Sequence, residues 1–64
     1  MSHKYVLERF KSYFPQYAAE MIEWFPNGNN SVRVRLKFAR DYVFTYNGPS
    51  DWRFETVNSF VKSM

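Results

Sequence analysis

From Ser31 to Phe38 the chain alternates without a break: Val32, Val34, Leu36 and Phe38 are apolar, and Arg33, Arg35 and Lys37 between them are cations. Successive side chains of a strand point to opposite faces, so this pattern predicts a β-strand with one face for a core and one for solvent. Such a strand needs sheet neighbours of matching polarity and an apolar cover for its inner face.

The flanking segments supply both. Before it, Ile22 and Trp24 alternate with Glu23 and Phe25, and Pro26-Asn27-Gly28-Asn29-Asn30 is dense in turn formers. This predicts a short strand over Met21 to Phe25 and a tight loop, with a helix continued through Phe25 as the competing reading. After it, Ala39-Arg40-Asp41 predicts a turn, and Tyr42-Val43-Phe44-Thr45-Tyr46 a β-branched and aromatic strand ending at Asn47-Gly48-Pro49.

Cover comes from the two ends. Val6, Phe10 and Tyr13, with Leu7 and Phe14 beside them, recur at spacings of three and four and predict an amphipathic helix from His3 to Phe14, capped by Ser2. Pro15 stops or bends it and opens a short second turn through Gln16-Tyr17-Ala18-Ala19. At the far end Ser50 or Asp51 is placed to cap a last helix, with Asp51 and Glu55 in its first turns and an apolar stripe of Phe54, Val57, Phe60, Val61 and Met64. The expected fold is therefore α+β: an N-terminal helix, a three-stranded antiparallel meander and a C-terminal helix packed on one sheet face, as a single small domain over residues 1–64.

A chain of 64 residues is close to the lower limit for a core without staples, and it has no cysteine. Disulfides, thiolate metal sites and a cysteine nucleophile are excluded. Seven Phe, five Tyr and two Trp must supply the stability instead. No apolar run reaches the roughly 18–20 residues that span a bilayer, and Met1-Ser2-His3-Lys4 lacks the apolar stretch of a signal peptide, so a cytoplasmic protein with no membrane partner is expected.

Register decides what the basic strand presents. With a loop at Pro26 to Asn30, Trp24 faces Val32, Ile22 faces Val34, and Glu23 lies opposite Arg33. With a three-residue loop at Ala39 to Asp41, Phe38 pairs with Tyr42, Leu36 with Phe44 and Val34 with Tyr46, which puts the bulky apolar groups on one face and leaves Arg35, Lys37, Val43 and Thr45 outside. A two-residue loop, Arg40-Asp41, instead mixes cations and rings on the outer face, as a single-stranded nucleic-acid platform requires. Burial of the rings favours the three-residue loop. The expected outline, a sheet backed by a C-terminal helix with a basic outer face, is similar to that of the DNA-binding sheet domains of some integrases.

Catalytic chemistry is sparse. His3 is the only histidine and lies at a terminus; Glu20 and Glu23 fall on opposite faces of a strand; Gly28 and Gly48 belong to no phosphate-cradling loop. No catalytic residue, metal ligand, cofactor or small-molecule substrate is expected. Nine Lys and Arg against six Asp and Glu give a net charge of +3, and Arg33, Arg35, Lys37 and Arg40 lie within eight residues. Trp52 falls off the stripe of the expected last helix, and Phe25 shares the side of Glu23. The expectation is a non-enzymatic protein-binding module using Arg33, Arg35, Lys37, Arg40, Trp52 and Phe25, of the kind found among phage and mobile-element products that inhibit a host protein by binding it, and among small accessory proteins. Homo-oligomerisation is expected because an open sheet leaves two edges, and nucleic-acid binding through the basic strand is the alternative.

Overall fold

Ser2 starts the first helix as its side chain suggests: Oγ accepts from the Tyr5 backbone N–H at 3.1 Å, and α1 (His3–Tyr13) follows. The computed structural model describes residues 2–37 and 40–57. Phe14, with φ −132°, breaks the helix before Pro15, and Pro15 opens α2 (Pro15–Glu20). The chain then runs straight into β1 (Met21–Pro26), so the strand reading of this segment holds over the helical one. Next come β2 (Ser31–Leu36), β3 (Tyr42–Gly48) and β4 (Asp51–Thr56). Together they form one antiparallel sheet in the order β1-β2-β3-β4. Among the described residues no helix is long and apolar enough to cross a membrane.

The α+β class and the N-terminal helix are as the sequence suggests, but the sheet has four strands and both described helices are N-terminal. The correction lies at residues 51–56, where a helix is expected and a strand is found. Its cause is visible locally. Pro49 and Ser50 form a two-residue connection between the paired Gly48 and Asp51, and the register shift between Tyr46 and Gly48 lets the chain reverse at once. Over this stretch Trp52, Phe54 and Thr56 alternate with Asp51, Arg53 and Glu55, a period of two that favours a strand as soon as β3 offers a partner. The rest of the expected stripe, Phe60, Val61 and Met64, lies outside the described residues.

Pairing also differs in register while keeping the faces. Trp24 faces Val34 rather than Val32, and Glu23 faces Arg35 rather than Arg33. One extra residue on β1 between Met21 and Glu23 bulges Ile22 out to solvent, so Met21 takes the inward place expected of Ile22. In the next hairpin Val34 faces Tyr42, not Tyr46, and Val32 faces Phe44. The expected three-residue loop is therefore replaced by a wider turn, and the expected partner of Tyr42, Phe38, lies outside the described residues. Because the shift is an even number of residues, Val32 and Val34 still share a face with Tyr42 and Phe44, and Arg33 and Arg35 remain on the other.

α1 and α2 cover the inner face. Val6, Leu7 and Phe10 of α1 are buried with Val32, Val34, Leu36, Phe44 and Tyr46, and Tyr13, Phe14, Ala18, Met21, Trp24, Tyr42 and Phe54 pack around them. The rings interlock: Phe54 lies 4.5 Å from Phe14, 4.8 Å from Tyr42 and 5.7 Å from Phe10, centroid to centroid. At the β1–β2 turn Gly28 has φ +78°, a left-handed conformation that a side chain would strain. His3 Nε2 donates to the Gly28 carbonyl, tying the first turn of α1 to that hairpin.

Candidate interaction surfaces

The registers place Phe25 and Trp52, expected to act together, on opposite faces of the sheet. Phe25 lines up with Arg33, Val43 and Glu55 across the outer face, whereas Trp52 faces Tyr46 on the inner one. They also belong to the two edge strands. They form two surfaces and cannot share one small contact.

On the outer face the basic strand is an ion-paired cluster rather than a row of solvated cations. Arg33 donates from Nε to Asp41 Oδ2 at 2.8 Å, and its Nη2 lies 2.6 Å from the same oxygen. Arg35 donates from Nε to Asp41 Oδ1 at 3.2 Å and from Nη2 to Oδ2 at 3.3 Å, and its Nη1 donates to Glu23 Oε1 at 3.0 Å. Asp41 is the centre: its side chain is only 16 % exposed and both oxygens accept from guanidinium groups. Hydrogen bonding from Arg35 holds the Asp41 carboxyl below its ordinary value of 3.8; Arg33 adds to this and partial burial opposes it. The same contact with Asp41, reinforced by Glu23, raises Arg35 further above its already high value.

Phe25 completes the cluster. The Arg35 and Arg33 guanidinium carbons lie 5.5 Å and 5.8 Å from its ring centroid, within cation–π range. Two planar cations are therefore held by carboxylates and laid against one half-exposed ring. Farther along the face, Ser31 Oγ and Thr45 Oγ1 are 2.7 Å apart, and Arg53 and Glu55 of β4 add one charge of each sign. Arg33, Arg35 and Arg53 thus each lie beside a carboxylate of Glu23, Asp41 or Glu55, so the cations of the strands do not present an uncompensated positive face.

The other two expected cations lie outside the strands. Lys37 is exposed in the turn after β2, its backbone N–H donating to the Glu20 carbonyl at 2.8 Å. Arg40 is exposed before β3 and lines, with Arg33, Asp41, Thr56 and Val57, an open depression of about 480 Å³.

Trp52 packs its ring on Tyr13 at 5.3 Å, Phe14 at 5.7 Å and Phe44 at 6.0 Å, yet stays 40 % exposed. It closes one end of the core beside the β3–β4 turn and shows its remaining surface there. Tyr17 of α2, its ring tilted against Phe54 at 5.4 Å, is exposed at the same edge. Deeper in, the interaction of its hydroxyl with that of Tyr13, followed by burial, pushes the Tyr46 phenol above its ordinary value of 10.0.

Asp41 and Tyr17 are the residues that sequence reasoning passes over. Asp41 reads as a turn residue, and only the register that sets it beside Arg33 and Arg35 makes it the hub. Among the described residues no group of three or more His, Cys, Asp or Glu is placed to hold a metal ion. Comparison with known proteins finds no matching family, no matching curated protein and no matching solved structure.

Proposed function

We propose that the protein is a non-enzymatic binding module that engages another protein through the outer face of its sheet, centred on Phe25, Arg33 and Arg35. The observation that carries this reading is the Phe25 ring held against two guanidinium groups that Asp41 and Glu23 fix in place. Arginine and aromatic side chains dominate the energetics of protein interfaces, and a patch whose rotamers are already fixed loses little entropy on docking. The ion pairing also weighs against a polyanion ligand, because a phosphate must compete with Asp41 and Glu23 for Arg33 and Arg35. A binder of this size acts by occupying a partner's surface, as a small inhibitor or accessory protein does.

The test compares affinity capture by the wild type with capture by Phe25→Ala, Trp52→Ala and the double change Arg35→Glu, Lys37→Glu. A protein retained by the wild type and by Trp52→Ala, but lost with Phe25→Ala, supports the outer face. Light scattering with a mixed DNA and RNA oligonucleotide pool at low and moderate salt is the counter-test. A salt-sensitive complex with the pool that the double charge reversal abolishes, and Phe25→Ala leaves intact, would assign the face to nucleic acid instead.

A further inference from the structure

The two edges of the sheet are built differently. β1 carries the Ile22 bulge in its middle and ends on Pro26, which has no N–H to donate; both features blunt an edge against pairing. β4 has neither device. It is paired with β3 from Asp51 to Thr56, contains no proline, and among the described residues has no strand on its other side.

We infer that β4 pairs antiparallel with β4 of a second copy of this chain, about a twofold axis at Phe54, joining two four-stranded sheets into one. Charge selects this register. A twofold axis normal to the sheet keeps outer residues opposite outer residues, so Asp51, Arg53 and Glu55 must face one another in some combination. Centring on Arg53 sets Arg53 against itself and Asp51 against Glu55, and centring on Glu55 sets that carboxylate against itself. Centring on Trp52 pairs Asp51 with Arg53 but leaves Phe54 to Thr56 beyond the paired strand. Centring on Phe54 places Arg53 opposite Glu55 twice, once on each side of the axis, and pairs five of the six strand residues. Opposite charges directly across a strand pair stabilise it and like charges destabilise it.

The side chains are ready for this partner. Glu55 is mostly buried, its Oε1 lacks a hydrogen-bond partner, and its Oε2 lies 4.0 Å from Arg53 of its own strand, too far for a hydrogen bond. Arg53 is 65 % exposed and able to reach across to the second copy. On the inner side the axis brings Phe54 beside its counterpart and sets Trp52 against Thr56, while the exposed surface of Trp52 and Tyr17 at this edge gains an apolar neighbour. This edge is separate from the Phe25 patch, so either proposal can fail while the other stands.

Sedimentation velocity over a concentration series tests it, with circular dichroism confirming that each variant is folded. The wild type is expected to show a concentration-dependent dimer. Arg53→Glu and Glu55→Arg, each replacing two attractive pairs by two like-charge pairs, are expected to raise the dimer Kd about tenfold or more. The double exchange Arg53→Glu, Glu55→Arg restores both pairs and is expected to recover the dimer. A wild type that stays monomeric throughout, or a folded double exchange that dimerises no better than the single variants, overturns the proposal.

Discussion

The two faces of this sheet hold the same strands in opposite ways. On the inner face Phe10, Phe44 and Phe54 meet ring to ring beneath α1 and α2, and nothing there depends on charge. On the outer face Arg33, Arg35, Asp41 and Glu23 are joined by directional contacts around a half-exposed ring, and Val43, expected to lie in solvent, is the buried apolar side chain there among the described residues. Burying a ring stabilises in proportion to its area, whereas an exposed ion pair contributes at most about 1 kcal/mol because water screens it. The inner face should therefore carry stability, and the outer face should fix the geometry of a surface. Substitutions on the two sides should separate these roles.

The largest effect is expected at Phe10, which is fully buried against Phe14, Phe44 and Phe54. Phe10→Ala should cost about 3–5 kcal/mol. A domain of this size has a total stability of only about 3–10 kcal/mol at typical values per residue. The variant should therefore be largely unfolded at 37 °C, with urea denaturation of the wild type giving the reference. A Phe10→Ala protein with an unchanged urea midpoint would break the comparison at its stronger side.

A middle-sized effect belongs to Asp41, a mostly enclosed outer-face carboxylate whose two oxygens both accept from guanidinium groups. Asp41→Asn leaves two guanidinium groups without their shared carboxylate and should destabilise by about 1–2 kcal/mol. The pH dependence gives the sharper test. The Asp41 carboxyl is held below its ordinary value of 3.8, so its stabilisation is fully present above that value and is lost as pH falls through the lower folded value. Urea midpoints measured from pH 7 down to pH 2 should fall less steeply below about pH 4 for Asp41→Asn than for the wild type. Equal acid slopes would remove Asp41 from its place as the hub.

The division between the faces was legible in the residues, but the partners across it were not. Strict alternation from Val32 to Leu36 determines which side chains are inside, and any shift of register by an even number preserves that assignment. Which carboxylate meets which arginine depends on the register itself, and that is set by the Ile22 bulge and by the wide turn before Tyr42, neither of which has a local signature. Residues 51–56 fail for a different reason. Phe54 and Val57 fit a helical spacing, while Trp52, Phe54 and Thr56 fit a strand, and the tie is broken by β3, whose pairing is non-local. Trp52 and Phe25 were legible as exposed aromatics, but their separation onto opposite faces required the fourth strand.

Phe25→Ala should have the smallest effect on stability and the most selective effect on binding. The ring is 36 % exposed, and its contacts with Arg33 and Arg35 are of the exposed cation–π kind, worth about 0.5–1 kcal/mol. The Asp41 and Glu23 contacts that position both guanidinium groups do not pass through the ring. The variant should therefore keep its urea midpoint close to that of the wild type, and an ion-paired but ring-less outer face should remain. If Phe25→Ala proves as costly to stability as Phe10→Ala, the ring belongs to a core, and the distinction between a face that holds the fold and a face that meets a partner collapses. If stability holds while capture of a partner is lost, Phe25 contributes to recognition without contributing to the fold, as expected of an interface anchor rather than a core residue.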